Sequence, residues 1–315
     1  MSTTICRLRR LWNGKCNLTF DTRRETEKLT MVDIKIQLPD SFFEEEERWG
    51  FKITKERKQL WAVELDLLCE FDRVCKKLGL RYFLDGGTLL GAVRDGHFIP
   101  WDDDIDVVML REDYNRLLEY GSAEFKYPIF LQNAYTDVDY RRGLTQLRRT
   151  DTTFILKREI EKNLPFNQGI CIDIFPLDGL PDANEVELFF VEKQKLRRQI
   201  SDMTKEAEHD PNAVRKLFGE YERFCSRYSD AEYLDPVMLH RDIQKIQWYK
   251  RDFFVQTIKV EFEGFAFSAP VEYDSVLTCL YGADYKIPKR VPTEHGDIIW
   301  DADVSYIQTM KNLLL

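Results

Sequence analysis

The chain has 315 residues, 43% of them hydrophobic, and a formal net charge of −9. That length can bury a sizeable core, the acidic balance disfavours nonspecific nucleic-acid binding, and no apolar run is long enough for a transmembrane segment or a secretory signal. Seven cysteines at 6, 16, 69, 75, 171, 225 and 279, without a C-x-x-C pair, suit reduced core thiols and a cytoplasmic location.

Residues 1–30 hold seven Lys/Arg and three Asp/Glu and show no hydrophobic period. They read as a disordered extension reaching about residue 33, with Met31 an alternative start and a transit-like peptide the sharper alternative. A single catalytic domain over 34–315 is expected, with its core at about 54–180 and a helical and C-terminal part at about 181–315. Leu60, Val63, Leu67, Phe71 and Val74 recur at helical spacing and predict a helix over 54–77, stopped by Gly79. "LRYFL" (80–84) reads as a strand, Asp85-Gly86-Gly87-Thr88 as a turn, and 88–94 as a short helix. "IDVVML" (105–110) is the next strand and 112–120 the next helix. "IFLQNAY", "GLTQLRR" and "DTTFIL" predict an antiparallel meander, and "GICIDIFPL" (169–177) a further strand. Helices follow over 184–209 and 213–228, then "VEFEGFAFSAP" as a hairpin strand and "YDSVLTCLYGADY" as a helix. Strands followed by packed helices indicate an α+β fold.

Chemistry concentrates in "FLDGGTLLGAVRDGHFIPWDDDIDVVML" (83–110). If a strand begins near Asp104, then Asp104 and Asp106 share one face. Two carboxylates so close repel unless a cation joins them, and oxygen-only ligation selects Mg²⁺ or Mn²⁺. Asp102 is expected to assist from the loop, Asp103 to face solvent and Asp85 to shape the turn. A solvated acidic loop is the plain alternative, but the run is fused to the apolar Ile105, Val107 and Val108. A calcium loop fails because Val107 takes the glycine place. Gly86 and Gly87, opening a helix at Thr88, would let backbone N–H groups approach a phosphate. Together with the D-x-D strand they are minimal hardware for substitution at phosphorus. Asp173, mid-strand in "CIDIF", is the candidate third acid, as metal ligand or general base. An edge strand pointing it outward is the alternative. Arg94 and Arg148 are the candidate phosphate-holding cations. Four scattered histidines offer no metal pair or catalytic dyad, and no P-loop is present.

"FLDGGTLLGAVRDGHFIPWDDDIDVVM" resembles the LicD family, which includes fukutin and its relatives. "GICIDIFPLDGLPD", "LRRTDTTFI", "YDSVLTCLYGADY" with Pro288, and "IQLPDSFFEEEERWGF" are similar to further signatures of that family, so the resemblance covers roughly 34–290. It implies a nucleotidyltransferase-like mixed β-sheet core with flanking helices. It also implies transfer of phosphocholine from CDP-choline, or of ribitol phosphate from CDP-ribitol, to a surface glycan such as lipopolysaccharide. Gly86 and Gly87 match the family's glycine pair, Asp104 and Asp106 its metal pair, and Asp173 its third acid. His97 stands at a glycine place, and Gln146 where a basic residue is expected.

The expected reaction has a sugar hydroxyl attack the phosphorus that bears the alcohol, releasing CMP. Gly86, Gly87 and Thr88 would orient the diphosphate, and Trp101, Phe98, Tyr82 and Trp300 are candidates for a choline-binding aromatic box. One alternative is attack at the α-phosphate of an NTP, another a glycerol or ribitol phosphate donor, and a third a metal-stabilised binding module. A lipid-linked acceptor would bring the protein to a membrane surface. "KQKLRRQ" (193–199) could serve there but reads first as a solvated helix face.

Overall fold

The computed structural model describes residues 31–137, 140, 142–162, 164–203, 210–235, 248–290 and 295–314. A two-residue turn joins β1 (Glu46–Arg48) to β2 (Phe51–Ile53), and α1 (Lys55–Leu78) follows. Thr54 Oγ1 accepts the Arg57 N–H at the start of α1, and Gly79 closes it in the left-handed conformation at φ 62°. The chain continues through β3 (Phe83–Leu84), α2 (Gly86–Asp95), β4 (Asp106–Leu110), α3 (Arg111–Tyr120), β5 (Ile129–Gln132), β6 (Thr145–Arg149), β7 (Thr153–Leu156) and β8 (Ile170–Leu177). Then come α4 (Val186–Met203), α5 (Pro211–Cys225), β9 (Tyr233–Leu234), β10 (Tyr249–Lys250), β11 (Thr257–Phe262), β12 (Phe265–Pro270), α6 (Tyr273–Tyr281), β13 (Ile298–Asp301) and α7 (Tyr306–Leu313).

The central sheet has five strands in the order β3-β4-β8-β6-β5, with β4 and β8 parallel and every other neighbour antiparallel. With its packed helices this is the α+β architecture expected. β8 is therefore central, which removes the edge-strand reading of Asp173. One side of α1 supplies Leu60, Trp61, Leu67 and Phe71 to the core that also holds Phe83, Val107, Ile172 and Ile174.

Three expectations change. Helix α2 begins at Gly86 rather than Thr88, because extended Asp85 (φ −140°) caps it and Gly86 takes φ 55°. The glycine pair is thus the first helical turn. Strand β4 begins at Asp106, where the ladder with β8 starts, although the Asp173 N–H still bonds Ile105 O at 2.8 Å. Asp104 sits in the segment leading in. The meander also loses a member: β7 pairs antiparallel with β13, outside the central sheet. Local pattern cannot reveal a partner more than 140 residues downstream.

Residues 1–30 lie outside the described part. Met31–Asp33, expected within the extension, are described, and the Val32 N–H donates to Ala302 O at 2.8 Å. The last positions of the helix expected over 184–209 are also outside. Cys75, Cys171 and Cys225 are buried and, like Cys69 and Cys279, are free thiols. Among the described residues no helix is long and apolar enough to cross a membrane.

Candidate active site

Strand register assembles the site. Asp106 lies opposite Asp173 in the parallel pair, Asp173 opposite Gln146, and Gln146 opposite Gln132. Residues directly across a ladder share a face. The four therefore form one polar row across the sheet interior. Asp85 sits beside the row's far end, its N–H donating to Asp106 O at 3.1 Å.

Each member has a distinct environment. Gln146 Nε2 donates to Asp173 Oδ1 at 2.6 Å, while Gln146 Oε1 accepts from Arg148 at 2.6 Å. Arg148 also donates to Gln132 Oε1 and to Gly169 O. Arg148 is 1% exposed, so it is not the phosphate-holding cation predicted from sequence: its guanidinium is committed to orienting the row. Alternation on β6 puts Gln146 and Arg148 on the same face. The Asp106 N–H donates to Thr88 Oγ1 at 2.9 Å, so buried Thr88 ties the first turn of α2 to the start of β4. Asp85 accepts from the Tyr249 hydroxyl at 3.1 Å, and burial raises its carboxyl to about 7 against the pull of that bond.

The remaining acids crowd the N-terminal end of α2. Burial raises Asp106 well above the ordinary carboxyl range, helped by the charges of Asp104, Asp173, Asp102 and Asp85. Asp104 rises to about 6 through burial, opposed by His295 and reinforced by Asp103 and Asp173. Asp102 rises well above its usual range for the same reasons, with Asp104 and Asp103 beside it. A Cβ on Gly87 would stand 2.1 Å from Asp102 Oδ2, so this glycine is needed to seat the Asp102 carboxylate. Asp102 O accepts from Arg57 at 2.6 Å and from the Trp61 indole at 3.1 Å, which pins the turn to α1.

Asp103 does not face solvent as expected. It is buried and meets His295 Nδ1 at 3.0 Å, with His295 Nε2 3.7 Å from Asp104 Oδ2. Burial works against the charged imidazole, yet the bond to Asp103 and the charges of Asp104, Asp103 and Asp173 raise His295 to about 9. Two further groups escaped the sequence reading. Glu64 on α1 is fully buried, both its carboxylate oxygens have no hydrogen-bond partner among the described residues, and burial with Asp104, Asp103 and Asp102 nearby raises it well above normal. Tyr281, ending α6, is 40% exposed, and burial of its hydroxyl together with the charges of Asp102, Asp85, Asp106 and Asp104 raises it above its ordinary value. Glu64 had a legible signal, a carboxylate inside the apolar stripe between Leu60 and Leu67. His295 had none.

Arg94 is not brought to the acids. It ends α2, where its side chain donates to Asp95 at 2.9 Å and lies 4.6 Å from the Trp49 ring. Among the described residues, His295 meets Asp103, Arg57 lies by Asp103, Glu64 and Asp102, and Arg142, near Asp173, is paired with Glu159 at 2.9 Å. Phe98 and Tyr82 belong to the core: Phe98 stacks on Trp61 at 4.7 Å and Tyr82 donates to Asp72. Nor is "KQKLRRQ" a purely solvated face, since Lys193 is buried against Asp235. That pair helps line a cavity of about 120 Å³ at the opposite, C-terminal ends of β4 and β8, where Arg111 and Asp178 are also paired.

Buried carboxylates pushed toward neutrality are the donor set that a hard divalent ion suits. Asp106 and Asp173 share one face of the sheet, and Asp104 lies in the segment leading into β4. Among the described residues, the ligand atoms of Asp103, Asp104 and His295 come within 4.8 Å of one another. The two sets share Asp104.

Residues 79–207 match the family described as LicD/FKTN/FKRP, nucleotidyltransferase domain. The chain is 28% identical over 256 residues to the lipopolysaccharide cholinephosphotransferase LicD of Haemophilus influenzae, a match covering 75% of this chain and 93% of that protein. It is 45% identical over 51 residues to the ribitol 5-phosphate transferase FKRP of mouse, which is 16% of this chain and 10% of that protein. The human ribitol 5-phosphate transferase FKRP matches to the same extent.

Proposed function

The chain carries a LicD-family domain at residues 79–207, and from that premise we propose that it is a metal-dependent phosphotransferase. Its reaction moves a phospho-alcohol, phosphocholine from CDP-choline in the first place, onto a sugar hydroxyl of a surface glycan or lipopolysaccharide, with release of CMP. Ribitol or glycerol phosphate is the second choice of cargo, supported by the local identity to the ribitol 5-phosphate transferases. The observation that carries the reading is the placement of Asp106 beside Asp173 on parallel strands, with Asp104 at the entry to β4. Such a cluster in a nucleotidyltransferase-like core suits transfer at phosphorus.

Asp104, Asp106 and Asp173 would hold Mg²⁺ or Mn²⁺, which supplies neutralisation of phosphoryl charge when bound. The first turn of α2, at Gly86, Gly87 and Thr88, presents main-chain N–H groups toward that charge. Gln146 occupies one oxygen of Asp173 and fixes its carboxylate, so the other oxygen would either ligate the metal or take the proton from the acceptor hydroxyl. The new bond joins the acceptor oxygen to the phosphorus. The bond from that phosphorus to the CMP oxygen breaks, with the electron pair leaving on CMP. The protein works from the cytoplasmic side, peripherally at the membrane where the acceptor is lipid-linked.

The test is incubation with CDP-choline, CDP-ribitol, CDP-glycerol or CTP in the presence of Mg²⁺ and a glycan acceptor. CMP release from one CDP-alcohol is the expected result. Pyrophosphate release from CTP, with no CMP from any CDP-alcohol, would replace this reading with nucleotidyl transfer.

A further inference from the structure

Helix α1 turns a line of polar groups toward the acid run. Arg57, Trp61 and Glu64 fall at helical spacing on one face. The first two donate to the main-chain oxygen of Asp102, at 2.6 and 3.1 Å. Glu64, one turn further on, is 0% exposed, and neither carboxylate oxygen has a hydrogen-bond partner among the described residues. Besides burial, the groups that act on it are Asp104, Asp103 and Asp102, against Arg57. A buried carboxylate without a donor is costly unless a cation meets it. In their ionised forms Glu64, Asp102, Asp103 and Asp104 face two cations, Arg57 and His295, and the surplus is the charge of one divalent ion.

His295 is oriented as a ligand beside this surplus. It stands just ahead of β13, whose pairing with β7 returns the chain across the fold. Arg158 donates to His295 O at 2.6 Å, and the Phe154 ring meets the imidazole edge-on at 6.3 Å. Nδ1 pairs with Asp103 at 3.0 Å, while Nε2 lies 3.7 Å from Asp104 Oδ2. A metal-binding histidine characteristically gives one ring N–H to a carboxylate and turns its other nitrogen to the ion. Asp103, His295 and Asp104 have that form, and the His295 side chain, 28% exposed, leaves a path for an ion to enter.

We propose that His295 Nε2 and Asp104 hold a second divalent cation, of the Zn²⁺ class, next to the ion of Asp104, Asp106 and Asp173. Asp103 positions the imidazole, and Glu64 supplies the buried counter-charge. The proposal rests on the phosphotransfer reading for its neighbouring ion, since Asp104 would serve both. The nitrogen sets the choice of ion: imidazole suits Zn²⁺ or Fe²⁺, whereas Mg²⁺ keeps to oxygen. Ligation takes the proton from Nε2 and leaves the one on Nδ1 with Asp103.

Co²⁺, a paramagnetic stand-in for Zn²⁺, tests this without turnover on the full chain stripped with EDTA. Equilibrium dialysis should load about two ions per chain. Proton NMR of that sample should show a strongly shifted, solvent-exchangeable imidazole N–H, the Nδ1–H held by Asp103. Excess Mg²⁺ should displace the other ion and leave this signal. In His295→Gln the signal and one ion should be lost together. Glu64→Gln keeps the shape and removes the charge, so it should weaken the nitrogen-bound ion about tenfold or more while keeping its signal. That variant decides if His295→Gln does not fold. The second site is overturned if the wild type loads a single ion, shows no shifted N–H or loses it to Mg²⁺. It is equally overturned if the signal survives in His295→Gln or if Glu64→Gln binds Co²⁺ as tightly as the wild type. Failure of the phosphotransfer reading looks different: no CMP from any CDP-alcohol with Mg²⁺, whatever Co²⁺ does.

Discussion

A carboxylate in a sheet interior is costly unless a donor or a cation meets it. Here three of the acids meet a donor: Asp85 takes Tyr249, Asp173 takes Gln146 and Asp103 takes His295. Gln146→Leu would free Asp173 to rotate, and groups that orient ligands typically matter 10–100-fold in metal affinity. Titration calorimetry with Mn²⁺ should show a loss on the order of 10–100-fold, and an unchanged affinity would remove Gln146 from this role. His295 makes a pH prediction for the metal-free protein. Its ordinary value is 6.5 and its value in the fold about 9, so the native state holds a proton that the unfolded chain has released between those limits. Stability from this group is complete below 6.5 and lost as pH rises through 9. Urea unfolding in EDTA should show the wild type losing on the order of 1–3 kcal/mol more than His295→Asn across that window. Parallel pH profiles for the two proteins would show that the pairing is absent in solution.

Between elements, the decisive link is Thr88 Oγ1 accepting the buried Asp106 N–H at 2.9 Å. It fixes the first turn of α2 against the start of β4, and so fixes the glycine pair against the carboxylates. Thr88→Val keeps the shape and deletes the acceptor, leaving a buried main-chain donor unpaired, which costs about 1–3 kcal/mol. The denaturant midpoint should fall accordingly, and CMP release should fall with it under fully folded conditions. An unchanged midpoint would mean that another acceptor takes the N–H. The elements legible from sequence were those whose own pattern was sufficient. Helix α1 matched its predicted bounds to within a residue, because an apolar stripe, a Thr cap and a closing Gly all agree. Strand β8 likewise follows from its run of buried apolar residues. The start of α2 was misplaced because a glycine at φ 55° can open a helix where other residues would turn.

For the molecule as a whole, the residues matching the family are not the residues that fold together. The core of 79–207 is completed by Trp61, Leu65 and Leu68 of α1, and among the described residues β7 pairs with β13. Thr153 Oγ1 bonds Val304 O at 2.7 Å, and Thr152 O accepts the Tyr306 N–H at 2.9 Å, so the C-terminus closes the same edge. A fragment of residues 79–207 should therefore show no cooperative urea transition, whereas the full chain should unfold in one. A cooperative transition in the fragment would mean that α1 and β13 are accessories.

The sequence by itself determined the α+β character, the run of acids around 102–106 and a carboxylate, Asp173, inside an apolar strand. Periodicity is a local property, and a carboxylate inside an apolar strand announces itself. Only the tertiary structure decided which charges meet. It buried Arg148 in the polar row instead of leaving it for phosphate, sent Arg94 to Trp49, and brought His295 back across 192 residues to Asp103. Pairings of that kind depend on strand register and chain return, which no spacing between neighbouring residues encodes.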